Sequence, residues 1–151
     1  MITMNNPTEF TLQLNKIYPV KQERVFQAWT MPEELSKWWG PEGFTTTIDE
    51  MNVVVGGSYK YKMHSPDGET HILTGEYKEI VPNQKLVFTW KWENDGQEFP
   101  TTLVTIDFLE QGQSTELLLA HTKLPSEEAA NNHNFGWTSS LEGDLNSYFT
   151  K

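Results

Sequence analysis

Hydrophobic and polar positions alternate along most of the chain, and the spacing turns helical only after residue 20 and again after residue 125. Phe10, Leu12 and Leu14 alternate with Thr11, Gln13 and Asn15, the two-residue period of a strand with one buried face. Past Pro19 the period lengthens. Val25, Phe26, Ala28 and Trp29 fit one short helix, and residues 32–38 a second that stops at Gly40-Pro41, since neither Gly nor Pro continues a helix. Strand-like segments follow at 44–55, 58–64, 71–80, 85–92, 102–109 and 115–121. They are separated by turn-forming stretches such as Gly56-Gly57, Ser65-Pro66-Asp67-Gly68 and Gln111-Gly112-Gln113, which predicts an antiparallel run.

The segment from Lys85 alternates most sharply. Leu86, Phe88, Trp90 and Trp92 share one side, and Val87, Thr89, Lys91 and Glu93 the other, so one sheet face is aromatic and the opposite one wet. After Leu124-Pro125 the chain reads as one long helix. Ser126 suits the N-cap, and Glu127 and Glu128 suit the positive end of the helix dipole. His133, Trp137, Leu141 and Leu145 recur every fourth residue, with Tyr148 and Phe149 closing the stripe. That stripe has to be buried, and the aromatic sheet face is large enough to receive it. The expected architecture is α+β: a helix-grip, with a curved antiparallel sheet wrapped around a long C-terminal helix and two short helices after the first strand.

Composition narrows the function classes. At 151 residues the chain has the size of one compact domain, and nothing in it marks a linker or repeat, so residues 1–151 read as a single unit. Aromatics make up 13%, including six tryptophans, and each buried ring removes a large area from water. A net charge of -10 with scattered basic residues argues against a nucleic-acid surface and against docking on an anionic membrane. The absence of cysteine removes disulfides, thiol catalysis and thiolate metal sites. No apolar run approaches the ~20 residues of a membrane span, and the N-terminus lacks the basic start and apolar core of a signal peptide. A cytoplasmic protein is expected.

Several segments together resemble the Hsp90-ATPase-activator homologue family within the START-like (SRPBCC, birch-pollen-allergen-like) superfamily. They are Val25-Phe26-Gln27-Ala28-Trp29-Thr30, Leu35-Ser36-Lys37-Trp38-Trp39-Gly40-Pro41, Val55-Gly56-Gly57-Ser58-Tyr59, Gly75-Glu76-Tyr77-Lys78-Glu79-Ile80 and Leu86-Val87-Phe88-Thr89-Trp90. Thr115-Glu116-Leu117 with His121, and Gly136-Trp137 with Leu141 and Leu145, complete the set. The resemblance implies a cavity between sheet and terminal helix, of the kind that superfamily members use for lipids, polyketides and hormones. It also implies a heat-shock chaperone as a partner, although the co-chaperones that give the family its name usually carry a further N-terminal domain for which 151 residues leave no room.

Candidate chemistry is sparse. His64 and His71 flank one turn and could face each other across a symmetric hairpin, but two ligands fall short of a metal site, and no metal or other cofactor is expected. His121 ends a strand in phase with Leu117 and Leu119, either as a base facing the cleft or as a structural histidine. Asp95, Glu98 and their neighbours read as a solvated acidic cluster. Trp38-Trp39-Gly40-Pro41 reads as an aromatic plug or as a gate. Gly136 costs a helix about 1 kcal/mol relative to Ala, which points either to close packing or to space beside Trp137. No nucleophile elbow, phosphate loop or dinucleotide fingerprint is present, so catalytic residues stay unassigned. The expected function is to bind a small hydrophobic ligand through Trp39, Phe88, Trp90, Trp92, Phe108, His121, Trp137 and Leu141. A chaperone-activating module, or a cyclase- or hydrolase-like enzyme, is the alternative. A monomer or homodimer is expected.

Overall fold

A computed structural model of the chain describes residues 2–6, 9–41, 43–93 and 100–150. The acidic Asp95 and Glu98 loop lies outside the described residues. Eight antiparallel strands form one sheet among those described: β1 (Ile2–Asn6), β2 (Glu9–Tyr18), β3 (Thr45–Met51), β4 (Ser58–His64), β5 (Thr70–Val81), β6 (Lys85–Glu93), β7 (Thr102–Gln111) and β8 (Ser114–Leu124). Their spatial order is β1-β2-β8-β7-β6-β5-β4-β3. The strand read from Phe10, Leu12 and Leu14 is therefore second in the chain, because Ile2–Asn6 adds an edge strand before it. Helices α1 (Gln22–Thr30) and α2 (Pro32–Leu35) follow it, as the lengthened period requires.

The sheet curves at bulges. Between β2 and β8, Phe10 pairs with Leu124 but Leu12 pairs with His121, so β8 carries an extra residue there. Lys123 takes the left-handed conformation at φ 64° to absorb it. The bulge changes the phase of β8, so that both His121 and Leu124 are buried although they stand three positions apart. A second device is Gly75 on β5. The Tyr59 ring lies across it to donate its hydroxyl to the Thr89 carbonyl at 2.5 Å. A Cβ on residue 75 would sit 2.1 Å from the Thr89 carbonyl oxygen and 2.4 Å from that ring, so no side chain fits here unless β6 and the tyrosine both shift.

The C-terminal helix lies in the palm of the sheet in three parts: α3 (Glu127–Thr138), a π-helical turn (Ser139–Asp144) and α4 (Leu145–Thr150). Ser126 caps α3, its hydroxyl accepting from the Ala129 N–H at 3.0 Å. The π turn explains the four-residue stripe. A residue every fourth position runs ahead of a 3.6-residue α-turn by about 40° per step, and the wider π turn corrects the drift. Trp137, Leu141 and Leu145 all stay buried as a result. Within the turn the Leu145 N–H reaches the Ser140 carbonyl, five residues back. Two tertiary bonds hold it: Ser140 Oγ donates to the Gly40 carbonyl at 2.7 Å, and the Tyr18 hydroxyl donates to the Leu141 carbonyl at 2.8 Å.

Further along, α4 is anchored to the short helices. Arg24 pairs with Glu34, Tyr148 donates to the same Glu34 carboxylate at 2.9 Å, and the Arg24 guanidinium lies over the rings of Tyr148 and Phe149. No helix among the described residues is long and apolar enough to cross a membrane.

Candidate functional site

Sheet and helix do not close on each other everywhere. Beneath α3 they leave an open cleft of about 390 Å³. Its walls are Trp90 and Trp92 from β6, Trp137 from α3, and Trp39 from the segment after α2, with Met63, Thr102 and Leu124 completing the sheet side. The helix contributes Ala129, Asn132, His133, Gly136 and Ser140, and Pro41, Pro100 and Pro125 complete the lining. Hollows of similar volume exist elsewhere, but the one over Gly75, of about 340 Å³, is lined by Glu50, Lys60, Glu76, Lys91 and Glu93 on the wet face of the sheet. The tryptophan cleft is the apolar one.

The tryptophans hold one another. Trp90 lies 5.1 Å from Trp137, 5.6 Å from Trp92 and 5.8 Å from Trp39, centroid to centroid, in the tilted and edge-on arrangements that aromatic rings prefer. They make a continuous wall. Trp38, next in sequence to Trp39, points away from the cleft: it is buried, packs on Trp29 at 4.6 Å and donates its Nε1–H to the Ala28 carbonyl. The Trp38-Trp39 pair thus divides between plug and wall. Gly136 resolves in favour of space, because the nearest atom to a Cβ placed there is Pro41 Cγ at 3.9 Å.

Two histidines brace the wall, His133 within the lining and His121 behind it. Trp137 Nε1–H donates to His121 Nδ1 at 3.1 Å. An indole nitrogen can only donate, so Nδ1 accepts and the proton of neutral His121 sits on Nε2. From there it is given to Thr102 Oγ1 at 2.7 Å, and that hydroxyl donates in turn to the Trp90 carbonyl at 3.2 Å. His133 repeats the scheme: Trp92 Nε1–H donates to its Nε2 at 3.1 Å, and Nδ1–H donates to the Ala129 carbonyl at 2.7 Å. The two imidazoles lie 4.9 Å apart. Burial drives His121 well below the usual histidine range, and the neighbouring His133 adds to the effect. His133 is also lowered by burial, partly offset by its bond to Ala129. Both are therefore neutral parts of the wall at pH 7.

Of the eight residues singled out in the sequence, Trp39, Trp90, Trp92 and Trp137 line the cleft. The other four lie elsewhere. His121 is fully buried behind Trp137 with both nitrogens engaged, which leaves a base role there without an open lone pair. Phe108 packs edge-on against Phe26 and Trp29. Phe88 packs against Tyr59 and Tyr77, and Leu141 is buried in the π turn. His133, absent from those eight, lines the cleft, and its place in the four-residue stripe was the available signal. The β4–β5 hairpin closes out of symmetry, pairing His64 with Thr70 and Met63 with His71. That puts the two imidazoles on opposite sheet faces.

Residues 19–150 match the family described as Activator of Hsp90 ATPase homolog 1-like protein. The chain belongs to that family. No curated protein matches it. Among solved structures, one from Chromobacterium violaceum is 28% identical with a TM-score of 0.85, covering 93% of this chain and 97% of its own. The AHSA1 protein from Silicibacter pomeroyi is 27% identical with a TM-score of 0.83 and the same coverages. A solution structure from Arthrobacter aurescens, 20% identical with a TM-score of 0.85, covers 99% of this chain and 91% of its own and shares the fold.

Proposed function

We propose that this family member is a cytoplasmic, one-domain binding protein for a small apolar molecule, held between the sheet and α3. The observation that carries this reading is the cleft of about 390 Å³ walled by four tryptophans, a volume and lining typical of small-molecule sites. A protein that needed those rings only for stability would gain by closing over them, since empty space forfeits contacts on every atom that borders it. The family's description brings an activator-type reading as well. The cleft favours the first, because a surface interaction has no use for internal volume.

Purified protein mixed with a panel of lipophiles should form one-to-one adducts in native mass spectra and melt at a higher temperature. The same preparation should leave ATP turnover of an Hsp90-type chaperone unchanged. No adduct and no thermal shift across the panel would sink the reading, and a chaperone stimulated by ligand-free protein would replace it with the activator.

A further inference from the structure

Each imidazole at the cleft has one basic nitrogen, and in both rings a cleft tryptophan occupies it. His133 gives Nδ1–H to the Ala129 carbonyl at 2.7 Å and accepts Trp92 Nε1–H on Nε2 at 3.1 Å. His121 gives Nε2–H to Thr102 Oγ1 at 2.7 Å and accepts Trp137 Nε1–H on Nδ1 at 3.1 Å. A proton arriving at either ring therefore has a single place to go, and there it meets an indole N–H. Imidazolium has no acceptor and indole has only a donor, so protonation ends the bond to the tryptophan. Resting on the binding reading above, we infer that His133 is a proton-operated latch: one proton on Nε2 frees Trp92 and turns an uncharged apolar cleft into a cationic one that lets its ligand go.

Three observations select His133 over His121. His133 is half-buried and lines the cleft, whereas His121 is fully enclosed, and a charge is harder to create where water is excluded. The two rings lie 4.9 Å apart, so a first proton on His133 opposes a second on His121. Trp92 is half-buried while Trp137 is buried, so Trp92 can turn outward without opening the core.

Little surrounds the latch to blunt it. Among the described residues the cleft lining holds no Lys, Arg, Asp or Glu. β6 faces His133 with Trp90 and Trp92, and β8 with His121. On α3 itself, Glu127 and Glu128 occupy the first turn. From β5, His71 stands edge-on to Trp92 at 6.4 Å and lies 3.6 Å from the Glu69 carboxylate, so its charge also reaches this tryptophan. Ligand and proton oppose each other by linkage. Uptake is full above the titration of His133, which burial sets below the usual value near 6.5. Beneath it, affinity falls by up to about tenfold per pH unit.

NMR of nitrogen-15-labelled, ligand-free protein tests the latch itself, followed from neutral pH downward while the far-UV circular dichroism holds. The Trp92 Nε1–H resonance should move upfield with the same midpoint as the His133 ring, and that of Trp137 should stay. A Trp92 resonance indifferent to His133 would overturn the inference. A binder found in the lipophile panel should weaken below that midpoint by up to about tenfold per pH unit. His133→Gln should make its affinity independent of pH, and His71→Gln should keep the slope of the parent protein. The reverse pattern would hand the effect to His71 and remove the latch. If no lipophile binds at any pH, the binding reading falls and ligand release with it, while the ligand-free resonances still decide whether a proton on His133 frees Trp92.

Discussion

The groove between sheet and terminal helix is solid at one end and hollow at the other, although aromatic rings line both. At the solid end, Phe108 meets Phe26 and Trp29 of α1, and Tyr18 meets Phe149 of α4. Beneath α1 and α2, Tyr61, Tyr77 and Phe88 border a void of only about 10 Å³, room for one water at most. Under α3 the void is about 390 Å³. The difference lies across from the rings. Leu141 and Leu145 project into the solid end and are buried there, whereas α3 presents Ala129 and Gly136 to the hollow end. Small residues opposite large ones make a cavity; large ones opposite large ones make a core. The same residue type thus stabilises the fold in one place and shapes a site in the other.

Mutations can break that contrast. The largest effect is expected from Phe108→Ala at the solid end, about 3–5 kcal/mol of lost stability by urea unfolding. Trp92→Ala at the hollow end removes a larger side chain and should cost less than half as much, because that ring already borders empty space and is only half-buried. Equal costs would mean that the two ends are packed alike.

Acid should sharpen the contrast next. His121 and His133 are held neutral, with folded pKa values below the usual value near 6.5. The unfolded chain therefore binds more protons below that pH. Stability is complete above about 6.5 and falls as pH drops toward the folded values, with a slope of up to about 1.4 kcal/mol per pH unit for each histidine. Urea midpoints measured across this window should show it, and His121→Gln with His133→Gln should flatten the curve. An unchanged slope in the double variant would show that other groups set the acid limit.

The smallest effect on stability is expected from filling the hollow end. Gly136→Leu should raise stability by up to about 1 kcal/mol through helix propensity while abolishing ligand uptake. A marked loss of stability would mean that the space seen beside Gly136 is not free.

Much of this was legible in the sequence. The inward set Leu86, Phe88 and Trp90 is buried as the alternation requires, and Ser126 caps the helix that its position announces. Alternation reports the face of a strand but not the position along a groove. Phe88 and Phe108 are inward like Trp90, and only their place along the groove decides whether each packs on other rings or borders the cleft. His121 shows the same limit: its phase places it inside, while its partners Trp137 and Thr102 come from α3 and β7, and no local spacing announces that meeting. The edge strand Ile2–Asn6 alternates only from Ile2 to Asn5, too short a run to separate from a loose terminus. The bulge at Lys123 likewise left no turn signal, since a lysine at positive φ is imposed by the surrounding pairing.

The π turn has a consequence for how such a protein can change. A helix with one surplus residue in the middle is indexed separately on either side. The α4 half takes its setting from Arg24, Glu34 and Tyr148, the α3 half from the cap at Ser126, and the turn between them from the Ser140–Gly40 bond. Substitutions that retune the pocket on α3 therefore leave the seat of α4 undisturbed. Ligand choice and structural integrity are written on different halves of a single helix, so one can be revised while the other is kept.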